Sequence, residues 1–264
     1  MKNKLDSLFF ARLFVSEQKQ IALIADEKTP TRISHRNFAT SCSEMRYKMN
    51  IYVAVGIIGI IGNFVAALAD VPFVKPGKPD KDQLIAGTGG ISYWWADVNS
   101  KRFIVSSWLS FIGQPAAYIV MWLLADLIAK ENVTLALALR INTFLGCYVG
   151  FSCHIIYCMK PLIYQKLHKK LSDDESLAVM KSIDPVFKGP MIVGALSLWL
   201  GSTIIVAAAI VTGALAVPKL CILLNPVVAA LILLLMKKCG IKIIGTLGVG
   251  YMLFSILLII AGLA

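Results

Sequence analysis

Apolar residues run in long blocks after Met49, and polar residues collect between them. A helix that crosses a bilayer needs about 20 predominantly apolar residues. Six blocks are of that order: 50–71, 103–129, 133–158, 189–213, 217–236 and 241–262. Backbone N–H and C=O groups find no partners in hydrocarbon, so such blocks must be helical. The period-two alternation of a β-barrel is absent. The pattern predicts an all-α, polytopic membrane bundle of about six transmembrane helices, with short interfacial helices between them. It also divides the chain into a polar extension, 1–48, and a transmembrane domain, 49–264.

Local signals refine this picture. Ser172-Asp173-Asp174-Glu175 has the spacing of a capping box, with Ser172 as N-cap and Glu175 reaching back. It predicts a helix running to about Ile183 and ended by Pro185. Leu177, Met180 and Ile183 share one side, which would suit a helix lying on the membrane surface. Asn225-Pro226 predicts a kink inside the fifth block, because proline leaves a backbone carbonyl without its donor. Trp94 and Trp95 read as interfacial anchors, with a short re-entrant or surface helix over 91–100. The glycine run Ala86–Gly90 lacks the Gly-Lys-Ser/Thr ending of a phosphate loop, so nucleotide binding is set aside.

Composition agrees with the membrane class: 58% of residues are hydrophobic and 16% charged. The net charge of +11 is spread over loops beside the apolar blocks, so it fits membrane topology rather than nucleic acid. Fourteen Lys and Arg fall in the first, third and fifth loops, against only Lys130 and Lys219 in the second and fourth. Odd-numbered loops are therefore expected on the cytoplasmic side. Within the third loop, Lys166, Lys169 and Lys170 are placed to meet anionic lipid. Residues 1–48 carry nine Lys and Arg and would pull the N-terminus inward. Either they form a cytoplasmic tail with an amphipathic stretch, or translation starts at Met45 or Met49.

The topology assigns a depth to each polar residue. Asp70, Arg102, Ser106, Ser110 and His154 fall in one layer, the cytoplasmic half. Ser106, Ser110 and Gly113 make one helical stripe, with Gln114 beside it. Thr143, Cys147, Gly150 and His154 make another. Asn63 lies seven residues before Asp70 on the first helix, and polar stripes should face the bundle interior. Asn63, Asp70, Arg102, Ser106, Ser110, Gln114, His154 and Asn225 are the candidate cavity residues. His154, Asp70 and Ser106 or Ser110 also have the residue types of a Ser/His/Asp hydrolase. Nearer the outer side, Asp126 and Arg140 flank a short hairpin and are expected to form a structural ion pair. The six cysteines show no CxxC spacing. A zinc site lacks its histidines, because only His154 lies within a block. No cofactor is called for. Gly56, Gly59 and Gly62, and the Gly146/Gly150 pair, offer close-packing faces that would serve helix or subunit association.

Three passages carry a family resemblance: Gly59-Ile60-Ile61-Gly62-Asn63 running to Ala69-Asp70, Arg102-Phe103 with Ser106, and His154 late in the third block. Residues from about 50 to 262 resemble an uncharacterised family of small multi-pass bacterial membrane proteins, defined only as a domain of unknown function. The resemblance implies a bacterial plasma membrane and carries over no activity. Three readings stay open: a non-enzymatic protein binding or moving a lipid or small molecule in a cytoplasmic-side cavity, an intramembrane hydrolase or transferase, and a structural partner subunit.

Overall fold

A computed structural model describes residues 35–73, 84–85, 91–239 and 246–264. The chain divides into two compact units, residues 1–46 and 47–264, and everything below concerns the second. The readings of residues 1–34, of the glycine run, of Lys75, Lys78 and Lys81 in the first loop and of Lys242 in the fifth lie outside the described residues.

The described chain is helical apart from one two-residue pairing, β1 (Leu84–Ile85) with β2 (Ile91–Ser92). The helices are α1 (His35–Leu68), α2 (Lys101–Ala129), α3 (Val133–Leu167), α4 (Asp173–Ala195), α5 (Ser202–Val211), α6 (Pro226–Lys238) and α7 (Thr246–Leu263). A π-helical turn, Leu196–Gly201, joins α4 to α5. Among the described residues, four segments are long and apolar enough to cross a membrane: Ile51–Phe73, Lys101–Ala129, Val133–Leu167 and Lys188–Val211. The last two apolar blocks give shorter apolar helices, Pro226–Met236 and Leu247–Leu263. The expected count of about six is therefore not confirmed among the described residues.

The fifth block shows why. It is not one kinked helix. A 3-10 turn, Lys219–Leu223, precedes α6, and Pro226 is the first residue of α6 rather than an interruption. That position suits proline, since the first helical N–H has no intrahelical partner. Asn225 caps the end: its side-chain oxygen accepts from the Val228 amide at 3.0 Å, and its amide nitrogen donates to the Ile222 carbonyl at 2.6 Å. No carbonyl is freed toward a cavity there.

The third loop departs from expectation in the opposite sense. The capping box at Ser172 and Glu175 is present, and its hydrogen bonds hold the Glu175 carboxyl below the usual range. The helix it opens does not stop at Pro185. It runs through Pro185 and Pro190 to Ala195 and on through the π turn. Nor is its apolar side left open. Met180 is buried with Trp95, Phe103 and Tyr164, and Leu177 and Ile183 pack against the same cluster. Lys160, counted above as a loop residue, lies inside α3, 1% exposed, and pairs with Asp184 on α4. That buried pair ties α4 to α3 one residue before Pro185, which holds the helix where a proline costs it a hydrogen bond.

Small residues set the helix spacing. A Cβ on Gly113 would lie 2.5 Å from the Ala66 amide nitrogen and 2.6 Å from the Gly62 carbonyl. Gly248 brings the α7 backbone equally close to Asn63 and Ala67 of α1, and Gly56 and Gly59 face Ser255 of α7. Gly146 and Gly150 face Leu198 in the π turn. These glycine faces are occupied within the chain. Outward from them point Ile57, Ile58, Ile61 and Phe64, all exposed, as a lipid-facing surface would be.

Candidate functional site

Asp70 sits in the turn that follows α1. The next residues form a 3-10 turn, Val71–Phe73, which seats Phe73 among aromatic rings: Tyr157 at 4.5 Å, Phe103 at 5.5 Å and Trp95 at 6.0 Å between centroids. The edge of Phe73 also meets the His154 ring at 6.2 Å. Gln165 fixes the other side of the cluster by donating to the Trp95 and Val98 carbonyls, both at 2.7 Å. The turn after α1 is thus clamped, and Asp70 is delivered to His154: Oδ1 lies 3.9 Å from Nδ1. The Asp70 side chain is 49% exposed and that of His154 15%, so Asp70 forms the mouth and His154 the inner wall.

Ser106 approaches His154 from α2. Its Oγ lies 3.1 Å from His154 Nε2, 2.6 Å from the Ala69 carbonyl oxygen and 3.4 Å from Cys158 Sγ. A serine has one hydroxyl hydrogen. Two oxygens 2.6 Å apart need it between them, so Ser106 donates to Ala69. His154 Nε2 is then the donor toward Ser106. A catalytic serine requires the reverse, a hydroxyl donating to an unprotonated ring nitrogen. The three side chains of the hydrolase reading are brought together, yet the proton is placed for structure: Ser106 ties α2 to the end of α1.

One turn deeper the environment opens. A cavity of about 80 Å³ is bounded by Asn63 and Asp70 from the α1 side, Ser110 and Gln114 from α2, and Cys147 and His154 from α3. Leu198 of the π turn and Tyr251 of α7 close it. Five of the eight candidate residues therefore meet in one space. Three do not. Ser106 lies behind the wall, Asn225 caps α6, and Arg102 stacks over the Trp94 ring at 5.0 Å. Ser110 accepts from the Gln114 amide nitrogen at 2.8 Å. The Ser110 hydroxyl hydrogen and the Gln114 amide oxygen have no hydrogen-bond partner among the described residues. Asn63 donates to Ser255 at 3.3 Å, and Ser255 in turn donates to the Tyr251 carbonyl at 2.9 Å.

The π turn is braced from three sides. The Asn142 amide donates to the Ser197 carbonyl at 3.0 Å; the Tyr251 hydroxyl, at 3.2 Å, and the Ser202 hydroxyl, at 2.5 Å, both donate to the Leu198 carbonyl. An inserted residue of this kind is common at functional sites, and here it pushes Leu198 into the cavity wall. Tyr251, Cys147 and Leu198 were not among the candidates. A lone tyrosine directly after Gly248-Val249-Gly250 in a largely apolar block is the signal that marks Tyr251.

At the other end of α2, Arg140 Nη2 donates to Asp126 Oδ1 at 2.5 Å, and the guanidinium lies 5.1 Å over the Trp122 ring. No group of three or more His, Cys, Asp or Glu able to hold a metal occurs among the described residues.

Residues 45–264 match the family described as a family of unknown function, DUF6796. The chain belongs to this family. Neither a curated protein nor a solved structure matches it. For this member of DUF6796, the site must be read from its own geometry.

Proposed function

We propose that this is a non-enzymatic, multi-pass protein of a bacterial plasma membrane that binds or moves a small polar solute in the cavity behind Asp70. The odd-numbered loops face the cytoplasm in this reading, so the mouth at Asp70 opens inward, and α6 and α7 are inserted beside the four longer spans. Exposed Lys166, Lys169 and Lys170 contact anionic headgroups at that surface.

The observation that carries the reading is the cavity itself. Polar groups from α1, α2 and α3 converge on it, and some of their hydrogen-bonding capacity is unused. In a membrane interior such groups are costly unless something meets them. About 80 Å³ accommodates a few waters or one small polar group, and is too small for a whole lipid headgroup with its chains. The committed hydrogen of Ser106 weighs against the hydrolase alternative. The glycine faces used inside the chain weigh against a purely scaffolding role.

The test is chemical access. All six native cysteines are replaced by alanine, and Ser110→Cys or Leu139→Cys is added in turn. Membranes are then treated with 2-aminoethyl methanethiosulfonate. Ser110→Cys is expected to react, while Leu139→Cys, in the apolar core, is not. Equal silence of both would refute the cavity reading. A fluorophosphonate probe run on the unmodified protein should leave Ser106 unlabelled; labelling there would reinstate the hydrolase.

A further inference from the structure

The hydrogen bonds of Ser106 fix the state of the next group in the site. Because Ser106 donates to the Ala69 carbonyl, His154 Nε2 carries the hydrogen directed at Ser106 Oγ. A neutral imidazole has one N–H, so Nδ1 then presents a lone pair. Asp70 Oδ1 stands 3.9 Å from that nitrogen, and an ionised carboxylate only accepts. Two acceptors thus stand across a gap with no hydrogen between them. Neither has a hydrogen-bond donor among the described residues.

Both side chains border the cavity, together with Ser110 and Gln114. Among the described residues, no Lys or Arg lines it; Arg102, earlier on α2, stacks over Trp94 instead. With His154 neutral, the wall carries one carboxylate and no counter-charge. A water molecule can bridge two acceptors, but it leaves that charge uncompensated. Hard cations such as calcium and magnesium take oxygen ligands and do not answer a ring nitrogen. Transition ions accept imidazole but want three or more protein ligands, and no group of three or more His, Cys, Asp or Glu able to hold one occurs among the described residues. An ammonium group supplies both charge and N–H donors, which serve nitrogen and oxygen acceptors alike. The volume of about 80 Å³ admits only a short chain behind it.

We propose that the solute taken by this cavity is a short primary ammonium, held at the mouth by N–H donation to Asp70 Oδ1 and His154 Nδ1. Ser106 then serves the site indirectly, by fixing the tautomer that leaves Nδ1 open. The inference rests on the cavity reading above and names the chemical class of its solute.

The experiment uses the full-length protein in lipid nanodiscs. The cysteine-replaced chain carrying Ser110→Cys is treated with 2-aminoethyl, 2-sulfonatoethyl or 2-hydroxyethyl methanethiosulfonate, each rate taken relative to that with 2-mercaptoethanol. The aminoethyl reagent should exceed the sulfonatoethyl reagent by about ten-fold, the size of a local electrostatic enrichment. Asp70→Asn should abolish that excess and leave the neutral hydroxyethyl rate in place. Methylammonium chloride should slow the hydroxyethyl reaction, whereas potassium chloride at the same concentration, a cation without N–H donors, should not. In the unmodified protein Cys147, which lines the same cavity, gives the same readout by peptide mass mapping if the substituted chain fails to fold. Equal rates for the two charged reagents, equal protection by methylammonium and potassium, or protection that survives Asp70→Asn would overturn the proposal. If the hydroxyethyl reagent still modifies Ser110→Cys and spares Leu139→Cys in that event, the cavity stands and only its cationic solute fails. If it spares both, the cavity reading has failed as well.

Discussion

The two ends of the α2–α3 helix pair handle charged groups differently. At the α2–α3 hairpin, Asp126 and Arg140 meet directly, with Trp122 beneath the guanidinium. The hairpin is short, and Asn132 caps α3 by accepting from the Leu135 amide at 3.0 Å. The two helices are therefore held in fixed register and the pair closes on itself. At the opposite end, Asp70 and His154 remain 3.9 Å apart beside a cavity. Asp70 is positioned by the packing of Phe73, not by His154. The same kinds of group thus serve architecture where they pair with each other, and leave a site where their positions are fixed by something else.

Removing one partner of a closed pair strands the other charge in a low-dielectric setting. Asp126→Ala should cost about 3 kcal/mol of stability, read as thermal unfolding in detergent micelles, with Asp126→Ala/Arg140→Ala recovering part of the loss. No recovery in the double variant would break the comparison at its hairpin end. Next in size is Gly113→Ala. The added methyl meets backbone atoms of α1, which cannot rotate away, so a loss of about 2 kcal/mol is expected. A neutral result would mean that close backbone approach does not hold the cavity helices. Asn225→Ala removes a helix cap and should cost about 1 kcal/mol, whereas Asn225→Asp or Ser should retain most of it. The smallest effect is expected at Asp70. Asp70→Asn should shift stability by no more than about 0.5 kcal/mol, because no tight pair is broken. A loss comparable to that of Asp126→Ala would erase the difference between the two ends.

The four long spans are legible because an apolar run of that length has few other solutions in a chain with so little charge. The approach of His154 to Ser106 is implicit in two stripes, Ser106/Ser110/Gly113 and Thr143/Cys147/Gly150/His154, once their helices are neighbours. What the stripes do not carry is direction of donation. The Ala69 carbonyl that takes the Ser106 hydrogen belongs to a turn, and no side-chain pattern announces it. Proline misleads twice, for opposite reasons. Pro185 reads as a stop, but the Lys160–Asp184 pair and the cluster around Met180 hold the helix through it. Pro226 reads as an interruption, but Asn225 makes it a beginning. The π turn is likewise illegible: one extra residue in a helix leaves no mark in hydrophobic periodicity, and its carbonyls are met by Asn142, Ser202 and Tyr251, distant in sequence.

An experimental structure in lipid nanodiscs, at a resolution that shows ordered water, tests the difference between the two ends most directly. The account predicts ordered density in the cavity, within hydrogen-bond reach of Ser110, Gln114 or Asp70, and no solvent between Asp126 and Arg140. A collapsed, empty space behind Asp70 with Gln114 turned out to lipid, or a solvated gap within the hairpin pair, would contradict it.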